Sequence, residues 1–275
     1  MPQLSKYDLQ QAVVRFMDES PENFLAEDVA LRSDLAGMRI FDLPLMAVAA
    51  ANDPMFTEMQ ADEAVGALFM LPEDWLPGAR SVISFFFPFT DTIIKANAMA
   101  PVDIPPEWLH GRIEGQAALN AATVAIRDLL ENAGFSCVIP SMDQRFRSAP
   151  KREGAENPEY TSAWSERHVA YVCGLGTFGL SRGLITARGM AGRFGSVITT
   201  APFEADTRLY SRYDEYCTMC GECALKCPVK AIDPVKGKNL APCAAFQQET
   251  RAKHAPRYGC GKCSVGVPCT SAIPV

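Results

Sequence analysis

Tyr216-Cys217-Thr218-Met219-Cys220-Gly221-Glu222-Cys223-Ala224-Leu225-Lys226-Cys227-Pro228 is the stretch around which the rest of the chain is read. With the spacing C-x2-C-x2-C-x3-C-P, three closely set thiolates wrap one 4Fe-4S cube and the fourth reaches a different cube. Two-residue spacers let a tight loop aim successive sulfurs at different irons while backbone N–H groups point at the sulfides. Pro228 then turns the chain aside.

If Cys227 serves a second cube, three more cysteines must follow it. The sequence supplies Cys243, then Cys260-Gly261-Lys262-Cys263, then Cys269. The partition read from this order places Cys217, Cys220, Cys223 and Cys269 on one 4Fe-4S cluster, and Cys227, Cys243, Cys260 and Cys263 on the other. A pair of zinc sites is the competing reading, since C-x2-C pairs also bind zinc. A third cysteine at x2 and a trailing Cys-Pro have no use in a tetrahedral zinc knuckle. Residues 211–275 therefore read as a small ferredoxin-like module. Residues 1–210 are left as an α/β domain of ordinary size.

The chain has 275 residues, 48% of them hydrophobic, a formal net charge of -6 and a pI near 5.2. That balance argues against a general nucleic-acid groove, where neutralised phosphates supply most of the affinity. Lys6, Asp8, Arg15, Asp18 and Glu19 interrupt any apolar run at the start, and no run of eighteen apolar residues occurs. No membrane partner and a cytoplasmic location are expected. In a reducing compartment, ten cysteines imply metal or redox chemistry before disulfides. Cys137 and Cys173, each in an apolar run, read as buried small hydrophobes.

Ser5 and Asp8 form a capping-box pattern before Leu9, Val13, Phe16 and Met17 at helical spacing, which predicts a first helix ending near Pro21. Residues 24–60 read as loops and short helices, and Asp62 to Met70 as a further helix. Ser81-Val-Ile-Ser-Phe-Phe-Phe87 reads as a central strand buried on both faces. Leu119, Ala122, Ile126, Leu129 and Ala133 predict a helix from Arg112 to Ala133, closed by Gly134. Phe135 to Ile139 follows as a strand, completing a strand-helix-strand pattern. Residues 141–167 form a charged loop containing Asp143, Arg145, Arg147, Lys151, Arg152, Glu153, Glu156, Glu159, Glu166 and Arg167. His168 to Cys173 reads as a strand running into Gly174-Leu175-Gly176-Thr177-Phe178-Gly179. Leu184–Thr186 and Ser196–Thr200 read as a hairpin.

Gly174, Gly176 and Gly179 match G-x-G-x-x-G, but Gly183, Gly189, Gly192 and Gly195 break the helix that a dinucleotide fold needs next. Small residues here let the backbone approach a large flat cofactor, or the cluster module itself.

Leu76-Pro-Gly-Ala-Arg80-Ser-Val-Ile83, Gly174-Leu175-Gly176 and the order of the eight cysteines resemble the core of the cobalamin-dependent epoxyqueuosine reductases and, more distantly, the reductive dehalogenases. The resemblance spans roughly residues 75–270. It implies a nitroreductase-like α/β domain followed by a two-cluster module, with a corrinoid between them and electrons passing through the cubes to cobalt. It implies cofactor contacts near Gly174, Leu175, Gly176, Gly179, Ser181 and Arg145. A family Asp in Asp-Thr-Ala-Pro, about fourteen residues before the glycine loop, falls here on Tyr160. Tyrosine is the proton donor of the dehalogenases, so Tyr160 is the candidate catalytic acid, with Arg145, Arg147 or Arg167 as candidate neighbouring cations. Leu180-Ser181 replaces the family's Lys-Asn, and Pro268-Cys269-Thr270 replaces its Cys-Pro-Trp-Asn. The helical-repeat extension that helps the tRNA enzymes hold substrate does not follow, so a small-molecule substrate is expected rather than tRNA. The electron donor would be a ferredoxin, flavodoxin or reductase. The alternative is a relay that hands electrons to a protein partner without a corrinoid.

Overall fold

The computed structural model describes residues 4–151 and 159–275; Arg152, Glu153 and Glu156 of the charged loop lie outside them. In chain order the helices are α1 Lys6–Glu19, α2 Pro54–Glu58, α3 Pro72–Trp75, α4 Asp91–Met99, α5 Pro106–Asn132, α6 Glu166–Cys173, α7 Glu222–Leu225 and α8 Leu240–His254. The strands are β1 Leu45–Ala50, β2 Ser81–Pro88, β3 Cys137–Val138, β4 Ser148–Pro150, β5 Tyr160–Ser162, β6 Gly176–Phe178, β7 Leu184–Thr186, β8 Gly192–Thr199, β9 Ile232–Asp233 and β10 Gly237–Lys238.

The main sheet has the order β1-β2-β8-β3. Every residue of β2 is buried, as an inner strand covered on both faces must be. Alternation then sorts its side chains: Ile83, Phe85 and Phe87 face the core built on α1 and α5, while Val82 and Phe86 face the core built on α6 and Trp164. Neighbouring strands are antiparallel throughout, with Val48 opposite Ile83 and Ser84 opposite Ser196. β2 and β3 are each antiparallel to β8, so they run parallel with β8 inserted between them. The strand-helix-strand unit read from the sequence is thus a crossover that skips one strand.

The capping box of Ser5 and Asp8 is present, and Leu9, Val13 and Met17 are buried. α5 begins six residues earlier than its apolar spacing indicated, because Pro106 occupies the first turn, where a missing N–H costs nothing. Other readings are corrected. Leu45–Ala50 within the supposed loops is the strand β1. Residues 62–70 form turns, not a helix. His168–Cys173 is helical, with Val169 to Cys173 all buried; Cys173 therefore ends a helix rather than a strand. Only Cys137 and Val138 of residues 135–139 are paired. Leu184–Thr186 pairs with β6, and residues 196–199 pair with β2, so the two do not make a hairpin with each other.

The C-terminal segment docks on this frame through backbone. Met190 N–H donates to the Cys269 carbonyl at 3.0 Å and Ala191 N–H to the Thr270 carbonyl at 3.1 Å. Gly189 makes the approach possible: at φ +70°, a Cβ there would lie 2.2 Å from the Thr270 carbonyl oxygen.

Candidate metal centre

The first cysteine run is entered from β6: Tyr216 N–H donates to the buried Thr177 hydroxyl at 2.8 Å, and Cys217 N–H donates to the Asp214 carbonyl. Met219 at φ +53° and Gly221 at φ +79° then turn the chain twice, and Gly221 starts α7, which carries Cys223. Cys269 arrives from the far end of the chain on the carbonyl contact with Met190. Together Cys217, Cys220, Cys223 and Cys269 line one cavity, closed on other sides by Gly179, Leu180, Ser181, Ile185 and Val267.

The second group is assembled from three elements. Cys227 follows α7 and accepts a hydrogen bond from Ala231 N–H at its sulfur, 3.2 Å away. Cys243 lies in the first turn of α8, whose start is capped by the Asn239 side chain on Ala241 N–H. Cys260 follows α8, and Cys263 sits in a 3-10 turn at Lys262–Ser264.

Electrostatics links the cysteines within each group, and also links Cys223 of the first group to Cys263 of the second. Burial first, then Cys263, Cys217 and Cys220, pushes the Cys223 thiol up to about 11. Burial, then Cys223, and then Cys217 and Cys220, pushes Cys269 up to about 12. Cys260 is pushed up to about 11 by burial and by Cys263, Cys243 and Cys227. Burial also raises Cys263, with Lys238 opposing. Bare thiols so placed stay protonated, and iron reverses this because a coordinating thiol is deprotonated outright. Among the described residues no three His, Cys, Asp or Glu side chains converge tightly enough to hold a single metal ion. All-cysteine donors at the C-x2-C-x2-C-x3-C-P spacing match the ligand set of a 4Fe-4S cube. The donor set fits clusters.

The remaining residues singled out from the sequence are scattered. Gly174, at φ +99°, is the C-cap of α6, its N–H on the Tyr171 carbonyl and Leu175 N–H on that of Ala170. Leu175 is buried in the α6 core. A Cβ on Gly176 would meet the Ile185 carbonyl oxygen at 1.9 Å, and one on Gly179 would lie 3.7 Å from the Cys217 sulfur. These glycines let backbone approach β7 and the first cysteine run. A helix, not a strand, precedes the loop, so the dinucleotide reading fails on structure as well as on glycine content. Ser181 is buried on the cavity wall.

Arg145 is held away from these groups. Its guanidinium grips Asp143 at 2.8 and 2.9 Å, donates to the Asp74 and Trp75 carbonyls and stacks 4.9 Å from the Trp75 ring centroid. Asp143 is accordingly held well below the usual carboxylate range. Tyr160, in β5, is 53% exposed and pairs with Pro150 of β4. Its neighbour Glu159 forms an ion pair with Arg182 at 3.0 Å, next to Ser181.

Three contacts escaped the sequence reading. Leu180 N–H donates to the Cys217 sulfur at 3.4 Å, Gln247 amide to the Cys243 sulfur at 3.7 Å, and Lys238 ammonium to the Ser181 carbonyl at 3.1 Å. Only the Gln247 contact had a local signal, being one helical turn from Cys243.

Comparison with known proteins identifies a 4Fe-4S motif in the first cysteine run. A 4Fe-4S binding domain model matches residues 211–233. No curated protein matches the sequence. Among solved structures, epoxyqueuosine reductase from Bacillus subtilis aligns at TM-score 0.51 and 17% identity, over 98% of this chain and 67% of its own. Epoxyqueuosine reductase with a tRNA-Tyr epoxyqueuosine-modified stem loop aligns at TM-score 0.50 and 17% identity, over 96% and 66%. A catabolic reductive dehalogenase in complex with 3-bromo-4-hydroxybenzoic acid aligns at TM-score 0.53 and 14% identity, over 84% and 30%. The chain thus spans about two thirds of the reductases and under a third of the dehalogenase. No described helix is long and apolar enough to cross a membrane. With a 4Fe-4S binding domain near its C-terminus, the chain is an iron–sulfur protein with the fold that epoxyqueuosine reductases share with reductive dehalogenases.

Proposed function

We propose that this chain is an iron–sulfur oxidoreductase that holds one 4Fe-4S cluster on Cys217, Cys220, Cys223 and Cys269 and a second on Cys227, Cys243, Cys260 and Cys263. The observation that carries the reading is the arrival of Cys269 beside the three cysteines of the first run, in a cavity walled by the Gly179–Ser181 loop. Bound clusters supply one-electron transfer. The chain tunes that chemistry: Leu180 N–H on the Cys217 sulfur stabilises added negative charge, which favours the reduced state. Lys238, close to Cys263 and bonded to the Ser181 carbonyl, places a cation between the two cysteine groups. Residues 211–275 would form the cluster module and residues 1–210 the acceptor-binding part.

The acceptor suggested by the fold is a corrinoid, acting on a small substrate. The glycines expected to cradle it do not fit that role, since Gly174 is spent on a helix cap, and Gly176 and Gly179 on contacts within the chain. The corrinoid reading is supported by the shared fold alone. Tyr160 is the proposed proton donor; the Glu159–Arg182 ion pair, which ties its strand to the loop walling the first cysteine group, supports this role. The glycine contacts favour a second reading, in which the same clusters serve a protein partner directly. The net charge of -6 weighs against tRNA in either case.

The test is protein made anaerobically with corrinoid supplied, assayed for iron and sulfide and by absorption. About eight irons and eight sulfides per chain are expected. About four irons, or zinc, would remove the two-cluster assignment. A corrinoid spectrum selects the first acceptor, and cluster absorption alone selects the second.

A further inference from the structure

Arg112 of α5 lies near Arg193 of β8 and shares the Tyr258 ring with Arg251 of α8. Arg112 and Gln116 stand one turn apart on α5, Arg193 lies on β8 and Arg251 on α8, and Tyr258 follows α8. Arg193 donates through Nη2 to the Gln116 side-chain oxygen, while its Nε is buried with no hydrogen-bond partner. Arg112 donates to the Tyr258 hydroxyl at 2.5 Å, and its guanidinium lies 4.7 Å from that ring's centroid. The Arg251 guanidinium lies 4.1 Å from the same centroid.

Among the described residues none of these three guanidiniums has a carboxylate within ion-pair distance. Glu114, on the same stretch of α5, is already taken by Arg257 and His110. A guanidinium withdrawn from water with a neutral partner and a like charge beside it is costly, and proteins offset that cost with an anion. Burial, then Arg112, pulls the Arg193 pKa down to about 9, as an uncompensated cation requires. The fork geometry of arginine suits the paired oxygens of carboxylate and phosphate.

We infer that Arg112, Arg193 and Arg251 form an oxyanion site for the phosphate or carboxylate of a small molecule, with Gln116 and Tyr258 orienting the guanidiniums. The acidic chain around this patch selects a small anion over a nucleic acid. The site rests on none of the cluster assignments, although Tyr258 is two residues from Cys260 and would bring an anionic molecule close to that segment.

The test is calorimetric titration of anaerobic, cluster-loaded protein with inorganic phosphate and, separately, with benzoate at low ionic strength. Saturable one-site binding of at least one probe is expected, and which one binds distinguishes phosphate from carboxylate. Arg193→Gln and Arg112→Gln should each weaken it by about tenfold or more, the loss of a charge-assisted fork. Arg188→Gln, whose native side chain pairs with Asp42, should leave it unchanged. Circular dichroism and iron content check that the variants fold, and Arg112→Gln carries the test if Arg193→Gln does not accumulate. Binding of neither probe at millimolar concentration, or wild-type affinity in a folded Arg112→Gln, would overturn the site.

Discussion

Tyr160 and Glu166 lie close in sequence and call for opposite treatments. Tyr160 is half exposed, and its proposed role depends on the hydroxyl alone. Tyr160→Phe keeps the ring, so cluster content should be unchanged while turnover of an accepted substrate falls about 10²–10⁴-fold, the usual contribution of a general acid. A panel of aryl halides, epoxides and epoxyqueuosine would show it; wild-type turnover of any accepted member places the donor elsewhere. Glu166 carries both carboxylate oxygens buried without partners in hydrogen-bonding geometry. Burial raises its pKa from 4.5 to about 7, only partly opposed by the Ser196 and Ser141 hydroxyls. Between those two values the unfolded chain has released the proton that the folded chain still holds. Stability therefore falls as pH rises from 4.5 to 7 and is level above. Glu166→Gln should remove that slope, a gain on the order of 3 kcal/mol at pH 8. Anaerobic thermal unfolding at pH 5 and pH 8 measures it, and parallel slopes in the two proteins would sink the idea.

At the scale of elements, the loop from β7 to β8 decides whether the first cysteine group can close. Gly189→Ala places a methyl group against the Thr270 carbonyl and strains a left-handed residue, which costs about 1–2 kcal/mol before the overlap is counted. Cys269 should then be displaced and iron should fall from about eight to about four per chain. Full iron content in the variant would mean that Cys269 is not held by this contact. Cys137→Ser and Cys173→Ser, in contrast, should leave iron content unchanged. Cys137 lies in β3 beside the Thr199 hydroxyl, and Cys173 is buried at the end of α6 with its thiol directed to the Val82 carbonyl. Loss of half the iron in either would overturn the ligand partition. α6 looks like a strand in sequence because Val169 to Cys173 is buried along its whole length, and a short apolar run buried all round carries no period that separates helix from strand. β1 hid for a different reason. Leu45-Met-Ala-Val-Ala-Ala50 is rich in alanine, a poor strand former, and is extended because it pairs with β2.

For the whole molecule, the four cysteines of the proposed second cluster and the Cys269 tail are threaded through a segment with little apolar core of its own: its buried residues Ile232, Cys223 and Val267 share a core with Ile185 of β7 and Met190 of the loop that follows it. Cys220→Ser should therefore loosen much of residues 211–275, visible as faster limited proteolysis of the variant. Equal resistance would show that packing alone holds the segment. Ligand chemistry was legible in the sequence because cluster ligation depends on residue type and spacing within a few residues, which Cys217 to Pro228 display directly. β2, α1 and α5 were legible because burial on two faces or one leaves a period in the apolar pattern. Whether the 1–210 region ends where the cluster module begins, and what the glycine loop touches, depends on contacts between residues far apart in the chain. Gly179 against Cys217, Gly189 against Thr270 and Arg112 against Tyr258 are such contacts. No local spacing encodes them, because each is set by how the sheet, α5 and the C-terminal segment pack in three dimensions.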